Sequence, residues 1–133
     1  MRTTFPVSAK AAIYDVSCER VLVIHMDDIV SYGLPGGHVD EGEALDDAMR
    51  RELLEECGIV PDELAHADFF IHSEGKIVLA YVGRVYDDTL FSRQDNLEGI
   101  PKWLTRQEFI ATNIEQYYRD FVIKNWPDMG SSS

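Results

Sequence analysis

The chain has 133 residues, of which 45% are apolar, enough for one core and one domain of ordinary size. Its 24 acidic against 12 basic side chains give a formal net charge of −12, which argues against binding a DNA duplex or an anionic membrane surface. No stretch approaches the 18 or so consecutive apolar residues of a membrane-spanning helix, and no secretory leader pattern is visible. With two cysteines, Cys18 and Cys57, and no CxxC pairing, the sequence suits a reducing, cytoplasmic setting and offers no zinc site.

In chain order, residues 7–14 and 20–25 read as two strands of mixed apolar character, separated by a polar turn at 15–19. Residues 44–57 are good helix formers without proline, and Gly58 follows where a left-handed cap needs glycine. Two β-rich runs, 68–72 and 76–86, flank a turn at 73–76, and 96–104 returns as a short strand. Residues 105–111 and 114–125 read as helices, the second with Ile114, Tyr117, Tyr118, Phe121 and Val122 at helical spacing. No repeat or low-complexity linker interrupts residues 1–129, which read as a single domain, and Gly130-Ser131-Ser132-Ser133 forms a flexible polar tail. Strand runs with helices interspersed predict an α/β sandwich with a mixed sheet.

The chemistry is concentrated in residues 37–59, GHVDEGEALDDAMRRELLEECGI. At about 100° per residue, Glu52 and Glu56 lie within roughly 40° of each other on the stripe of Leu45 and Met49, with Glu55 flanking it. These carboxylates continue the apolar face, whereas a merely solvated charge run would lie opposite it. Like charges at such spacings repel, and a cluster of hard oxygen donors suits Mg²⁺ or Mn²⁺. Taken alone, the pattern also fits an ordinary charged amphipathic helix. Leu34-Pro35-Gly36-Gly37 tips the balance, because adjacent glycines let a ligand or ion approach the backbone.

This segment reads G-x5-E-x7-R-E-U-x-E-E-x-G-U, with U a bulky aliphatic residue, and resembles the Nudix box of the Nudix hydrolases at all nine specified positions. The resemblance implies a Nudix-type α-β-α sandwich with a mixed β-sheet. It also implies metal ligation by the Gly36 carbonyl and by Glu52, Glu55 and Glu56, with Glu43 and Arg51 as a structural pair and Gly37 and Gly58 as structural glycines. Glu52 is the first choice as general base; Glu98, on a later loop just ahead of Trp103, is the alternative, as base or metal ligand. Many relatives pair as a homodimer, so that state stays open.

Carboxylate-bound divalent ions activate water and stabilise a leaving phosphate, which points to hydrolysis of a phosphoanhydride in a nucleoside diphosphate linked to another group. Ser73 and Glu74 stand where the ADP-ribose and diadenosine polyphosphate subfamilies carry proline and tyrosine, and the longer motifs of the NADH and coenzyme A subfamilies are missing. By elimination, the substrate is a nucleoside triphosphate of the MutT type, oxidised purines included, cleaved to monophosphate and pyrophosphate. The alternatives are ADP-ribose, nucleotide-sugar or dinucleoside polyphosphate hydrolysis, a non-catalytic nucleotide-binding regulator with the same fold, and an acidic metal-binding protein without turnover. His38, Lys76 and Arg84 are phosphate contacts or plain surface charges; Tyr32, Tyr81, Phe91 and Trp103 stack on a base or pack in the core. His25, His66 and His72 show no ligand spacing.

Overall fold

The structure, a computed structural model, describes residues 7–26, 31–71, 75–91 and 99–127. Among these residues, seven strands form one mixed sheet: β1 (Val7–Asp15), β2 (Arg20–His25), β3 (Tyr32–Gly33), β4 (Gly36–His38), β5 (Glu63–Ile71), β6 (Ile77–Val85) and β7 (Ile100–Thr105). The main path runs β3-β2-β1-β6-β5, with β4 also paired to β1 and β7 to β2. Of the described strand pairs, β1 and β6 alone run parallel, in register from Val7 opposite Ile77 to Asp15 opposite Val85. The described helices that cover the sheet are α1 (Leu45–Cys57), α2 (Arg106–Ile110) and α3 (Gln116–Asn125).

The two faces of β1 explain the layering. Side chains alternate along a strand, so Ala9, Ala11 and Ile13 point one way and Ala12 and Tyr14 the other. The first set packs with Met49, Leu53 and Cys57 of α1. The second packs with Phe109 of α2 and with Tyr118, Phe121 and Val122 of α3. A central strand buried on both faces therefore reads as a continuous apolar run, and the result is the α-β-α sandwich. Tyr14 ties its layers together, its fully buried hydroxyl donating to the Val122 carbonyl at 2.7 Å, a bond worth about 1 kcal/mol. At the β1–β2 turn, buried Asp15 accepts from the backbone N–H of Glu19 and Arg20 and from the Arg20 guanidinium. Burial raises its pKa, but these bonds together outweigh that and hold it below the ordinary carboxylate value.

Several expected boundaries move. The strand expected at 68–72 is Glu63–Ile71, because β5 lies at the sheet edge with one neighbour and much of it faces solvent. Its Glu-Leu-Ala-His-Ala start lacks the apolar signature of a buried strand, and the register shift between His66 and Asp68 blurs any alternation. The expected helices at 105–111 and 114–125 begin later. Thr105 is an N-cap, closing a capping box with Glu108, and Glu115 precedes α3 while Ile114 packs in the core ahead of it. Strands β3 and β4 were not anticipated, since two or three residues around Gly33 and Gly36 carry no periodicity. Residues 72–74, 96–98 and 130–133, which include His72 and parts of the expected strands, turn and tail, lie outside the described residues.

Candidate active site

Helix α1 carries the carboxylates, and its ends show why it forms where it does. Asp46 and Asp47 sit in the first turn, where negative charge complements the helix dipole. Gly58, at φ 70°, closes the other end in the left-handed conformation, its N–H returning to Leu54 at 3.0 Å. Phe91 N–H caps the Cys57 carbonyl at 2.8 Å. Met49, Leu53 and Cys57 are fully buried against the sheet, so the helix cannot roll about its axis without exposing them. Burial, reinforced by the Glu56 charge, raises the Cys57 thiol pKa and keeps that side chain a packing group.

The same rotation drives Glu52 and Glu56 towards β4. Glu56 is only 9% exposed, and its Oε1 accepts the Gly36 N–H at 2.7 Å. Gly36 has φ 143°, and a Cβ there would fall inside contact distance of the Ala9 carbonyl on β1. At Gly37 a Cβ would sit 2.8 Å from the carboxyl carbon and both oxygens of Glu52. The two glycines thus have separate reasons. Gly36 permits β4 to lie against β1, and Gly37 leaves room for the carboxylate of Glu52.

Arg51 organises the acidic groups around it. Its Nε and Nη2 form a fork on Glu43 at 2.8 and 3.0 Å. Nη1 reaches Glu52 at 3.0 Å and Glu55 at 2.9 Å, and Nη2 also reaches the His38 carbonyl at 3.2 Å. The hydrogen bonds that Arg51 donates to Glu43, Glu55 and Glu52 raise its pKa, and the bond Glu43 accepts from Arg51 lowers that of Glu43. One guanidinium therefore bridges the loop ahead of α1, the β4 backbone and two of the expected ligands.

Among the described residues no three His, Cys, Asp or Glu side chains already converge on one ion position. The donors nevertheless fit a hard cation. Magnesium-type ions dehydrate reluctantly and bind through one or two carboxylates, waters and substrate oxygens rather than a complete protein cage. Glu52 and Glu56 lie one turn apart beside the Gly36 carbonyl's strand, and every donor is oxygen. Exposed Glu55 extends the set from its place on Arg51. Glu98 lies outside the described residues.

Beside Gly36, Gly37 and Glu56 opens a cleft of about 810 Å³, bounded by Lys10, Tyr32, His38, Asn113 and Tyr117. Tyr32 stacks on His25 with ring centres 4.6 Å apart, and Lys76 stands at the same cleft. Other expected contacts are elsewhere. Tyr81 is a core residue whose hydroxyl donates to Asp46, and His66 meets its ring edge-on. Trp103 donates to the Asp88 carbonyl under the Arg20 guanidinium, Arg84 reaches the Cys18 sulfur, and Phe91 caps α1. None of Tyr81, Trp103, Arg84 and Phe91 borders the cleft. Lys10, Asn113 and Tyr117 were missed as lining residues. For Lys10 a signal existed, a lone cation within an otherwise apolar strand.

A mixed sheet between helices, with a Gly-Gly strand drawn onto a glutamate-bearing helix, defines an α-β-α sandwich with a carboxylate site at the sheet's surface. The family model for the NUDIX domain matches residues 4–124, and the chain belongs to this family. It is 40% identical over 95 residues to the oxidized purine nucleoside triphosphate hydrolase of Mus musculus, covering 70% of this chain and 54% of that protein. The matched segment spans between 38% and 54% of the length of the first two curated relatives. In fold it is similar to a MutT structure from work on Aliivibrio salmonicida and Vibrio cholerae, with a TM-score of 0.77 at 19% identity over 91% of this chain and 96% of that one. It is similar also to the NUDIX domain of Shewanella oneidensis NrtR complexed with ADP ribose, with a TM-score of 0.78 at 16% identity over 92% and 87%.

Proposed function

We propose that the protein is a divalent-metal-dependent pyrophosphohydrolase that cleaves an oxidised purine nucleoside triphosphate to the monophosphate and pyrophosphate. The observation that carries this reading is the seating of Glu56 and Glu52 on Gly36 and Gly37, with Arg51 holding Glu43 and Glu55 beside them. The activity named for the mouse relative supports the substrate class. Glu52, Glu55, Glu56 and the Gly36 carbonyl would hold Mg²⁺ or Mn²⁺, and Glu98 would be a further ligand or base. Such an ion, when bound, lowers the pKa of water and offsets charge on the phosphates. Glu52 takes the proton from the attacking water. Arg51 and Glu43 fix the loop and α1 relative to one another, and Gly58 ends the helix so that Glu55 and Glu56 keep their direction. Tyr32 and Tyr117 flank the cleft as surfaces on which a purine stacks.

We assign the activity to one domain spanning residues 1–129. Both cysteines are buried and unbridged, in keeping with a cytoplasmic location, and no described helix is long and apolar enough to cross a membrane. The test is a phosphate-release screen, coupled to inorganic pyrophosphatase, with Mg²⁺ and separately Mn²⁺. The panel holds oxidised and ordinary nucleoside triphosphates, ADP-ribose, nucleotide sugars and dinucleoside polyphosphates. Metal-dependent pyrophosphate release, fastest with an oxidised purine, is expected. Full activity after chelation and dialysis, or silence across the panel, overturns the reading.

A further inference from the structure

Lys10 is the one charged residue in the interior of β1, between Ala9 and Ala11, both wholly buried. An ammonium on a central strand is costly unless partnered. Its backbone stands opposite Gly36 across the β1–β4 ladder and opposite Ala80 on β6. From there Nζ reaches the Gly36 carbonyl at 3.5 Å, the long end of hydrogen bonding but aided by full charge. Gly36 cannot drift away, because its close approach to Ala9 and its N–H bond to Glu56 pin both sides of the residue. Lys10 therefore supplies a positive charge to the carbonyl that the function proposed above assigns to the divalent ion.

We propose that Lys10 is a tethered cation that competes with the divalent ion for the Gly36 carbonyl and so sets the protein's metal affinity. The inference rests on that functional reading. Two cations at one oxygen repel each other strongly, even at an effective dielectric constant near 20. Metal entry thus requires the ammonium to leave, and its four-carbon stem lets it swing into the cleft that it already borders. A substrate phosphate there draws Lys10 off the carbonyl and, by linkage, favours the metal. Before substrate arrives, Lys10 keeps the carbonyl directed into the site and the metal weakly held.

The experiment is Mn²⁺ binding to the nucleotide-free protein, read by calorimetry and by loss of the free-ion paramagnetic resonance signal. Lys10→Met, close in length but uncharged, is expected to bind Mn²⁺ roughly tenfold more tightly than the wild type. Lys76→Met removes the same charge from the same cleft at a residue that makes no hydrogen bond to Gly36 among the described residues, and serves as the measure of field alone; a change of about twofold is expected. Lys10→Arg keeps the charge and should stay near wild type, which covers the case of a poorly folded Lys10→Met. Equal affinities in wild type, Lys10→Met and Lys76→Met, with Mn²⁺ bound by all three, overturn the competition and leave the hydrolase standing. No Mn²⁺ binding by the wild type overturns both.

Discussion

On the α1 face of the sheet, nearly every side chain that matters is held by a specific partner: Glu56 by Gly36, Glu43, Glu52 and Glu55 by Arg51, Asp46 by Tyr81. On the α3 face, the Tyr14–Val122 hydrogen bond apart, the contacts are mainly between rings, with Phe70 meeting Tyr117, Tyr118 and Phe121 at centre distances of 5.4 to 6.3 Å. Charge-assisted hydrogen bonds demand fixed spacings, so the first face is written as a motif. Aromatic packing tolerates many arrangements, so the second is written only as an apolar stripe. Under the function proposed above, this difference becomes a division of labour, with reaction chemistry assigned to one helix and substrate recognition to the cleft wall across the sheet.

The largest expected effect breaks the chemical half. Glu52→Gln keeps the size of the side chain and the space over Gly37, but removes a charge and a base. Hydrolysis should fall by roughly 10²–10⁴-fold in kcat while the far-ultraviolet dichroism stays that of the wild type. Loss of less than tenfold would move the base to another residue, Glu98 being the next to test.

The two glycines sharpen the comparison within the same face. Gly36→Ala places a methyl against the Ala9 backbone at a φ that disfavours any side chain, and should cost about 2–5 kcal/mol in chemical denaturation. Gly37→Ala meets only the end of the Glu52 side chain, which can move. It should leave most of the stability intact and lower kcat. If both variants were equally destabilised, the separate roles assigned to the glycines would not hold.

Across the sheet the expected signature differs in kind. Tyr117→Ala removes a half-buried ring from the cleft wall, and a lost stack is worth about 1–3 kcal/mol. KM should rise about tenfold or more with kcat little changed, measured by initial rates over a range of nucleotide concentration. A fall in kcat at unchanged KM would place Tyr117 with the chemistry instead.

How much of this was legible in the sequence follows the same division. Glu52, Glu55 and Glu56 could be placed on a shared direction from the helical period alone, and Gly58 marked the end of α1 within a residue. The Glu43–Arg51 pair came with the resemblance to the box, not with periodicity. The α/β sandwich was legible in the order of strand and helix runs and its α-β-α layering came with the resemblance, whereas β5 at the edge hid its first five residues behind Glu63, Ala65 and His66. Tyr117 looked like another core position because the apolar stripe of α3 runs past the core to the cleft. Lys10 differs, since a lone cation in an apolar strand was visible and needed only its partner, which the β1–β4 pairing supplies through tertiary structure.

The smallest expected effect concerns the clamp at the edge of the chemical face. Arg51 lowers the Glu43 pKa on folding, so between that value and the ordinary one of 4.5 the unfolded chain binds more protons than the folded one. The stability due to the charged pair is complete above the ordinary value and is lost as pH falls through the lower folded one. Glu43→Gln should therefore unfold at lower denaturant than the wild type at pH 7, by a modest margin because the pair is partly solvated. The difference should shrink on acidification until the two proteins coincide, with Arg51 charged throughout. A gap that persisted at low pH would show that Glu43 acts through packing and neutral hydrogen bonds, and that the clamp on this face needs shape more than charge.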